Sequence, residues 1–387
     1  MRTFYYLLAL TLAALNLRPA ITSISPLLES IQDSLGMSGA TASLLTTLPV
    51  LCMGIFSPFA AVISKKIGLE RAIFVSLIFI TVATLMRGVV GSVMLLVVTA
   101  FLAGIGIGLA GPLLSGFIKQ HFPTKPGFVS VYSVSLVIGA GIATGFAVPV
   151  YDGFSGNWQL ALAVWGALGV FALIAWIGLI QKRPTALKTT NSTLPFKDKR
   201  ALLITLFFGF MATVFYTVTA WAAPIVMSFG YSTAMAAAGV TVFQFIQIPV
   251  SLVLPSIVSK YGYITPALIG CSAIELVGVI CLLVGVHPLL ALGLIGFGAG
   301  GLFPLALMIP IIETDTADKA SALSALNQGG GYIFAALGPL AVGTLFDVFG
   351  TFKPALYVLI VVIISMGIVQ YLLGRPAKVE EVKNKLG

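Results

Sequence analysis

The chain is a succession of apolar runs, each long enough to cross a lipid bilayer. A helix of about 20 apolar residues spans the hydrocarbon core. Twelve such runs can be counted along the 387 residues: 4–28, 40–64, 72–90, 93–118, 128–150, 158–181, 201–228, 234–259, 264–286, 289–312, 320–345 and 354–374. In lipid every backbone N–H and C=O must find a partner inside the protein, so a run of this length that spans the bilayer has to be helical. Composition agrees, with 59% of residues hydrophobic and 9% charged, where a soluble domain carries about 25% charged residues. The expected class is an all-α membrane protein with twelve transmembrane helices. Run one is too long for the core of a signal peptide and lacks a small-x-small exit, so it reads as a retained first helix.

The net charge is +9. In a soluble protein that would suggest nucleic acid; here the charges sit in short loops and report topology instead, so no nucleic-acid partner is expected. An even number of crossings puts both termini on one side. That side holds Lys65, Lys66, Arg71, Lys119, Lys125, the cluster from Lys182 to Arg200, Lys260, Lys319 and the tail residues Arg375, Lys378, Lys383 and Lys385. The other side has Arg87 and Lys353 against Glu29, Asp33, Asp152 and Asp347. Excess Lys and Arg marks the cytoplasmic face, so a multi-pass protein of the plasma membrane with both termini cytoplasmic is expected.

The longest loop, residues 181–200, falls near the middle of the chain. Either side of it the sequence repeats itself. "LGMSGATA" after run one matches "FGYSTAMA" after run seven, and "SKKIG" after run two matches "SKYG" after run eight. Gly36 and Gly230 are 194 positions apart, as are Gly68 and Gly262; Gly111 and Phe303 are 192 apart, as are Gly139 and Gly331. Near-constant spacing in order points to duplication. The expected organisation is an N-terminal six-helix half over 1–181, a cytoplasmic linker over 182–200, a C-terminal half over 201–374 and a cytoplasmic tail over 375–387. Two tandem six-helix repeats make the major facilitator fold, whose halves are related by an axis along the membrane normal, with solute bound between them near the midplane.

Within run one stands "LNLRPA", residues 15–20. An arginine at the centre of a transmembrane helix costs roughly 2.5–3.5 kcal/mol on insertion scales, so Arg18 must face protein, water or a ligand. Thr11, Arg18, Thr22 and Ser25 share one helical face, while Asn16 points the other way, toward a neighbouring helix. Pro19 removes one backbone donor and frees a carbonyl. Arg18 either attracts an anionic or strongly polar solute, which its planar donors suit, or caps freed carbonyls, or pairs with Glu275, the one acidic residue well inside a run. Glu275 itself is either a protonated structural residue or part of a proton path. Weaker polar stripes hold Gln244, Gln247 and Ser251 in run eight and Ser321, Ser324, Gln328 and Tyr332 in run eleven; run seven offers Tyr216 and Trp221 near Pro224, and run five offers Tyr132 and Ser135. Such side chains bond either a small polar substrate or a neighbouring helix. The candidate substrate contacts are Arg18, Asn16, Tyr216, Trp221, Gln244, Gln247 and Gln328. "GIGIG" in run four follows no strand and reads as a close-packing face of small residues. Cys52, Cys271 and Cys281 read as small buried hydrophobes, and neither His121 nor His287 has metal-like company. No metal site, cofactor motif or catalytic constellation is expected.

"ALNLRPAITSISPLL", "NWQLALAVWGAL", "FYTVTAWAAPIV" and "NQGGGYIFAALGPLAVG" together resemble the cyanate/nitroimidazole transporter branch of the major facilitator superfamily. The resemblance spans residues 4–372 and is most specific at "LNLRP" and at "GY-x-x-AALGP". It implies a transporter that moves a small anionic or polar solute, cyanate-like, by alternating access, with Arg18 on the family's first-helix arginine. The chain departs from the pattern at Ser64 and Lys65, where an aspartate usually precedes the basic pair, and at Gln159, where related sequences look basic. An exporter of drug-like heterocycles such as nitroimidazoles is the alternative on the same fold. A membrane sensor without transport would normally bring an appended soluble domain, and an enzyme would need clustered His, Asp or Glu in the spans. The expected partners are a small-molecule substrate and the lipid bilayer, with a coupling proton or simple facilitated diffusion both open, and the protein is expected to be a monomer.

Overall fold

The computed structural model describes residues 2–37, 39–180 and 194–374. Most of the central linker and the whole basic tail lie outside the described residues. The described chain is helical: α1 (Arg2–Asn16), α2 (Pro19–Thr22), α3 (Leu28–Leu35), α4 (Gly39–Ile67), α5 (Leu69–Met86), α6 (Val93–His121), α7 (Val129–Gly145), α8 (Ala147–Gly153), α9 (Trp158–Ala163), α10 (Gly166–Ile180), α11 (Lys199–Ser228), α12 (Thr233–Tyr261), α13 (Ile264–Leu283), α14 (Pro288–Ile312), α15 (Ala317–Phe349) and α16 (Lys353–Leu373). Among the described residues eleven segments are each long and apolar enough to cross a membrane, and α7 with α8, bent by 44°, makes a twelfth. The outer faces carry exposed apolar side chains such as Phe171, Ile174, Leu337 and Val361, as a surface solvated by lipid requires.

Between helices in lipid there is no hydrophobic drive, so association rests on close packing and hydrogen bonds. The chain meets this twice with the same device. Ser57 Oγ on α4 lies 2.9 Å from the Gly108 carbonyl on α6, sharing its single proton between that carbonyl and the nearer Met53 carbonyl of its own helix, and Ser251 Oγ on α12 donates to the Gly300 carbonyl on α14 at 2.7 Å. A Cβ at Gly108 would meet Met53, and one at Gly300 would meet Gln247. Ser57 and Gly108 recur 194 and 192 positions later as Ser251 and Gly300, and Met53 has Gln247 at the matching position 194 later. Gly36, Gly68, Gly230 and Gly262 all adopt positive φ, the left-handed conformation that glycine enters without steric cost. The molecule is therefore two six-helix repeats, with duplicated contacts as well as duplicated sequence.

Run one differs from expectation. It is not one helix over 4–28: α1 stops at Asn16, α2 ends at Thr22, a 3-10 turn spans Ser25–Leu27 and the short helix α3 follows. Pro19 is the cause, because it cannot donate to the Leu15 carbonyl four residues back. Gly139 on α7 accommodates that carbonyl; a Cβ there would collide with Leu15 O. Arg87 also departs from expectation. It is not an outward loop residue but is fully buried, donating from Nη1 to the Ala20 carbonyl at 2.7 Å and from Nε to Thr99 Oγ1 at 3.3 Å. Ala20 lies in the last turn of α2, where carbonyls have no helical partner, and a cation is favoured at that end of a helix.

Candidate functional site

The break between α1 and α2 puts Arg18 at the first position outside α2. Its carbonyl accepts the Ile21 and Thr22 N–H groups at 2.9 and 3.0 Å, which fixes the backbone while the side chain reaches across to the other half. There Nη1 donates to Tyr216 Oη on α11 at 2.8 Å. The guanidinium carbon sits 5.5 Å from the Phe215 ring centroid, 5.6 Å from Tyr216 and 5.3 Å from Phe303. Phe215 and Phe303 stack on each other at 5.9 Å. Tyr332 on α15 meets Tyr216 edge-on at 6.0 Å, and it and Tyr132 on α7 are close enough to interact with the Arg18 charge. Arg18 is 7% exposed, and among the described residues no carboxylate pairs with it. Salt bridges there join Glu70 to His121, Glu313 to Arg200 and Asp315 to Lys319.

Electrostatically, this is a buried cation held by rings and one hydroxyl. Cation–π contacts are worth about 0.5–2 kcal/mol each, more when desolvated. They lessen the cost of the charge but leave it net positive. An aromatic box around a guanidinium with unused donors can take an acceptor-rich, planar or anionic group, and its rings can stack on a flat one.

The other expected contacts scatter. Gln247 on α12 donates to the Phe243 carbonyl at 2.9 Å and to Gln244 Oε1 at 3.5 Å, so these two glutamines bond within their own helix. Trp221 Nε1 donates to the Pro339 carbonyl at 3.0 Å and its ring lies 5.7 Å from Phe352, one helical turn and more beyond Tyr216. Asn16 is buried with Nδ2 unpartnered. Gln328 is buried against Gly111 with Nε2 unpartnered. Thr22 Oγ1 lies 3.2 Å from the Arg18 carbonyl and 3.4 Å from the Ala140 carbonyl, with its single proton shared between them. Glu275 is buried against Gly298 on α14 with Oε2 unpartnered, and does not pair with Arg18. Gln159 Nε2 donates to the Val90 carbonyl at 3.5 Å. Phe215 and Phe303 were missed, because an aromatic residue inside an apolar run carries no mark of its role; the offset of 192 that pairs Phe303 with Gly111 flagged the position but not its neighbour.

At the far ends of the helices from α3, the two halves meet. Lys119 Nζ on α6 donates to the Ile311 carbonyl on α14 at 3.0 Å, and Gly127 packs on Ser256 and Ser259 of α12. Nearby, Glu70 accepts from Gln120 at 2.8 Å beside His121. In the second half Arg200 forms a two-pronged pair with Glu313 at 2.8 and 2.6 Å.

Twelve crossings in two repeats around a buried polar centre define a membrane transporter of small solutes. The model of the Major Facilitator Superfamily matches residues 10–328, and the chain belongs to that superfamily. It is 34% identical to the uncharacterized transporter YycB of Bacillus subtilis (strain 168) over 372 residues, 95% of this chain and 92% of that one. It is 29% identical to the 2-nitroimidazole transporter of Escherichia coli (strain K12) over 376 residues, 95% and 94% of the two chains. To the cyanate transport protein CynX of the same organism it is 29% identical over 353 residues, 89% and 91% of the chains. The fold matches the transporter FucP, crystallised in the outward conformation, with a TM-score of 0.74 at 14% identity, covering 95% of this chain and 98% of that one.

Proposed function

We propose that this protein carries a small anionic or strongly polar solute, cyanate-like, across the plasma membrane by alternating access, and that Arg18 binds it. The observation that carries the reading is the Arg18 guanidinium, buried and bonded to Tyr216, with no carboxylate paired to it among the described residues. A buried charge without a counter-ion is costly, and a solute that brings acceptor atoms supplies what the protein withholds. Tyr216 holds the guanidinium in place. Asn16 and Gln328 are proposed as further contacts, Asn16 with the solute at Arg18 and Gln328 farther along its path, because each has a buried, unpartnered amide nitrogen; Gln244, Gln247 and Trp221 have less support, since their polar atoms bond within the protein.

The two halves are assigned to residues 1–181 and 201–374, joined by a cytoplasmic linker over 182–200, with both termini cytoplasmic. The basic residues Lys65, Lys66, Lys119, Lys125 and Lys260 support that orientation. On it, Lys119 and Ile311 close the cytoplasmic end in the described state. Export of a flat heterocycle is the second reading, favoured by the rings of Phe215, Phe303 and Tyr332 around the site. Whether a proton is coupled turns on Glu275, which lies on α13 away from the Arg18 box.

The test is binding by purified protein, read as ligand-induced stabilisation, with cyanate and 2-nitroimidazole as probes. Cyanate stabilisation that is lost in Arg18→Ala and Arg18→Lys supports anion carriage. Stabilisation by 2-nitroimidazole alone moves the reading to the heterocycle. Wild-type stabilisation in both variants removes Arg18 from the site.

A further inference from the structure

A ladder of polar side chains on α15 leads away from the Arg18 box. Tyr332 stands beside the box; Gln328 is one turn back along the helix, with Ser324 and Ser321 beyond it, on nearly one face. The facing wall is α6, running antiparallel. Gly111 lies against the Gln328 amide oxygen, and Gly116 against the Ser321 hydroxyl, so close that neither glycine could carry a Cβ without a shift. Ser115 lies between those two contacts on α6, as Ser324 does on α15.

The seam is closed: Ser115 and Ser324 are 0% exposed and Ser321 and Gln328 are 2% exposed. Yet Ser115 Oγ, Ser324 Oγ and Gln328 Nε2 have no hydrogen-bond partner. Buried polar atoms are nearly always satisfied, and leaving one unmade is costly. Polar groups that only hold helices together find partners across the contact, as Ser251 does with the Gly300 carbonyl; these three do not. Three unsatisfied groups along two facing walls fit a seam that also serves a second state, open and wet.

Building on the reading of Arg18 as the solute site, we propose that this seam is a second, uncharged station for the solute. When the halves part, Gln328 Nε2 and the Ser115 and Ser324 hydroxyls donate to the acceptor atoms of a small anion or polar solute that has left Arg18. The station lies between the Arg18 box and the Lys119 end of α6. Neutral donors suit that place, because they hold an acceptor without the attraction of a full charge and so let it go.

The serines then act with opposite sign in the two states. Alanine removes unsatisfied groups from the closed seam and removes donors from the open one. In Ser115→Ala/Ser324→Ala protein the Tm rises, cyanate affinity in detergent stays within about twofold of wild type, and maximal cyanate uptake into proteoliposomes falls about tenfold. Gln328→Met slows uptake to a similar degree. A merely structural role would move Tm and uptake together. In a background with Cys52, Cys271 and Cys281 replaced by alanine, Ser324→Cys reacts with an impermeant thiol reagent added to inside-out vesicles. Uptake at the wild-type rate in both the double-serine and Gln328 variants overturns the station, whatever the labelling shows. If the wild-type protein carries neither cyanate nor 2-nitroimidazole, labelling decides, and a thiol at 324 that stays unreactive overturns it. If Arg18→Ala binds cyanate normally while the serine variants still slow uptake, the Arg18 reading falls and the station stands.

Discussion

At the scale of single residues, the Arg18 guanidinium is buried among aromatic rings and hydrogen-bonded across the two halves to Tyr216. Arg18 stood out because a charge inside an apolar run has to be explained, and it does occupy the meeting point of the two halves with Tyr216 as its partner. The rings that surround it were illegible, since Phe215 and Phe303 look like any other lipid-compatible residue until the fold brings them within 5.5 and 5.3 Å of the guanidinium. Arg87 was misread for a related reason. Its position beside a short loop suggested water, while the broken first helix supplied a buried carbonyl for it. Truncating one partner of a buried charge-assisted contact costs about 2–5 kcal/mol, or roughly 30-fold to several-thousand-fold in affinity. On the proposed reading, Arg18→Ala is therefore expected to lose cyanate binding by at least the lower figure. Arg18→Lys keeps the charge but not the planar fork and is expected to bind weakly as well. Titration of folded variants by stabilisation against probe concentration measures both, and equal affinities across the series contradict the assignment.

At the scale of elements, helix existence was legible and helix continuity was not. The expected runs 264–286 and 289–312 correspond to α13 at Ile264–Leu283 and α14 at Pro288–Ile312. Apolar length fixes where a helix crosses, whereas a break depends on whether a neighbour can receive the freed backbone group. In run one Gly139 does so for the Leu15 carbonyl. Gly139→Ala should therefore be severe. The added carbon would strike backbone rather than a mobile side chain, and overpacking typically costs about 1–3 kcal/mol. Gly141→Ala, two residues on and with nothing within 4 Å of an added Cβ, is the control and should be neutral. Thermal unfolding of both variants checks this; equal Tm values would mean that α7 does not hold α1 through Gly139. The duplicated hydroxyl bonds give a matched pair. Ser251→Ala removes an interhelical bond to a glycine carbonyl and should cost about 0.6–2 kcal/mol, and Ser57→Ala, whose hydroxyl is shared with the Met53 carbonyl of its own helix, should cost about the lower figure. A large effect at one site and none at the other would show that the two repeats do not carry load alike.

At the scale of the whole molecule, the duplication could be read because glycine and turn residues keep their spacing when the apolar residues between them drift. What the linear sequence lacks is the contact between halves, which has no periodicity to betray it. Lys119 illustrates this. In the sequence it is one more lysine at the end of an apolar run; in the fold its ammonium reaches across to the last turn of α14, where the Ile311 carbonyl and the negative end of the helix dipole receive it. A hydrogen bond from a charged group is worth about 1.5–3 kcal/mol, and at this half-buried place the lower end applies. Since 1.4 kcal/mol is a tenfold change in an equilibrium, Lys119→Met should raise the share of molecules open at this end about tenfold. Spin labels at Lys125→Cys and Lys260→Cys report the opening, because both positions are exposed and Gly127 packs on Ser259 in the closed state. The expected outcome is a short label-to-label distance in the otherwise wild-type protein and an added, longer population in Lys119→Met, with Lys119→Arg between them. An unchanged distance distribution in Lys119→Met would mean that packing along α4, α6 and α15 holds the end shut without the lysine.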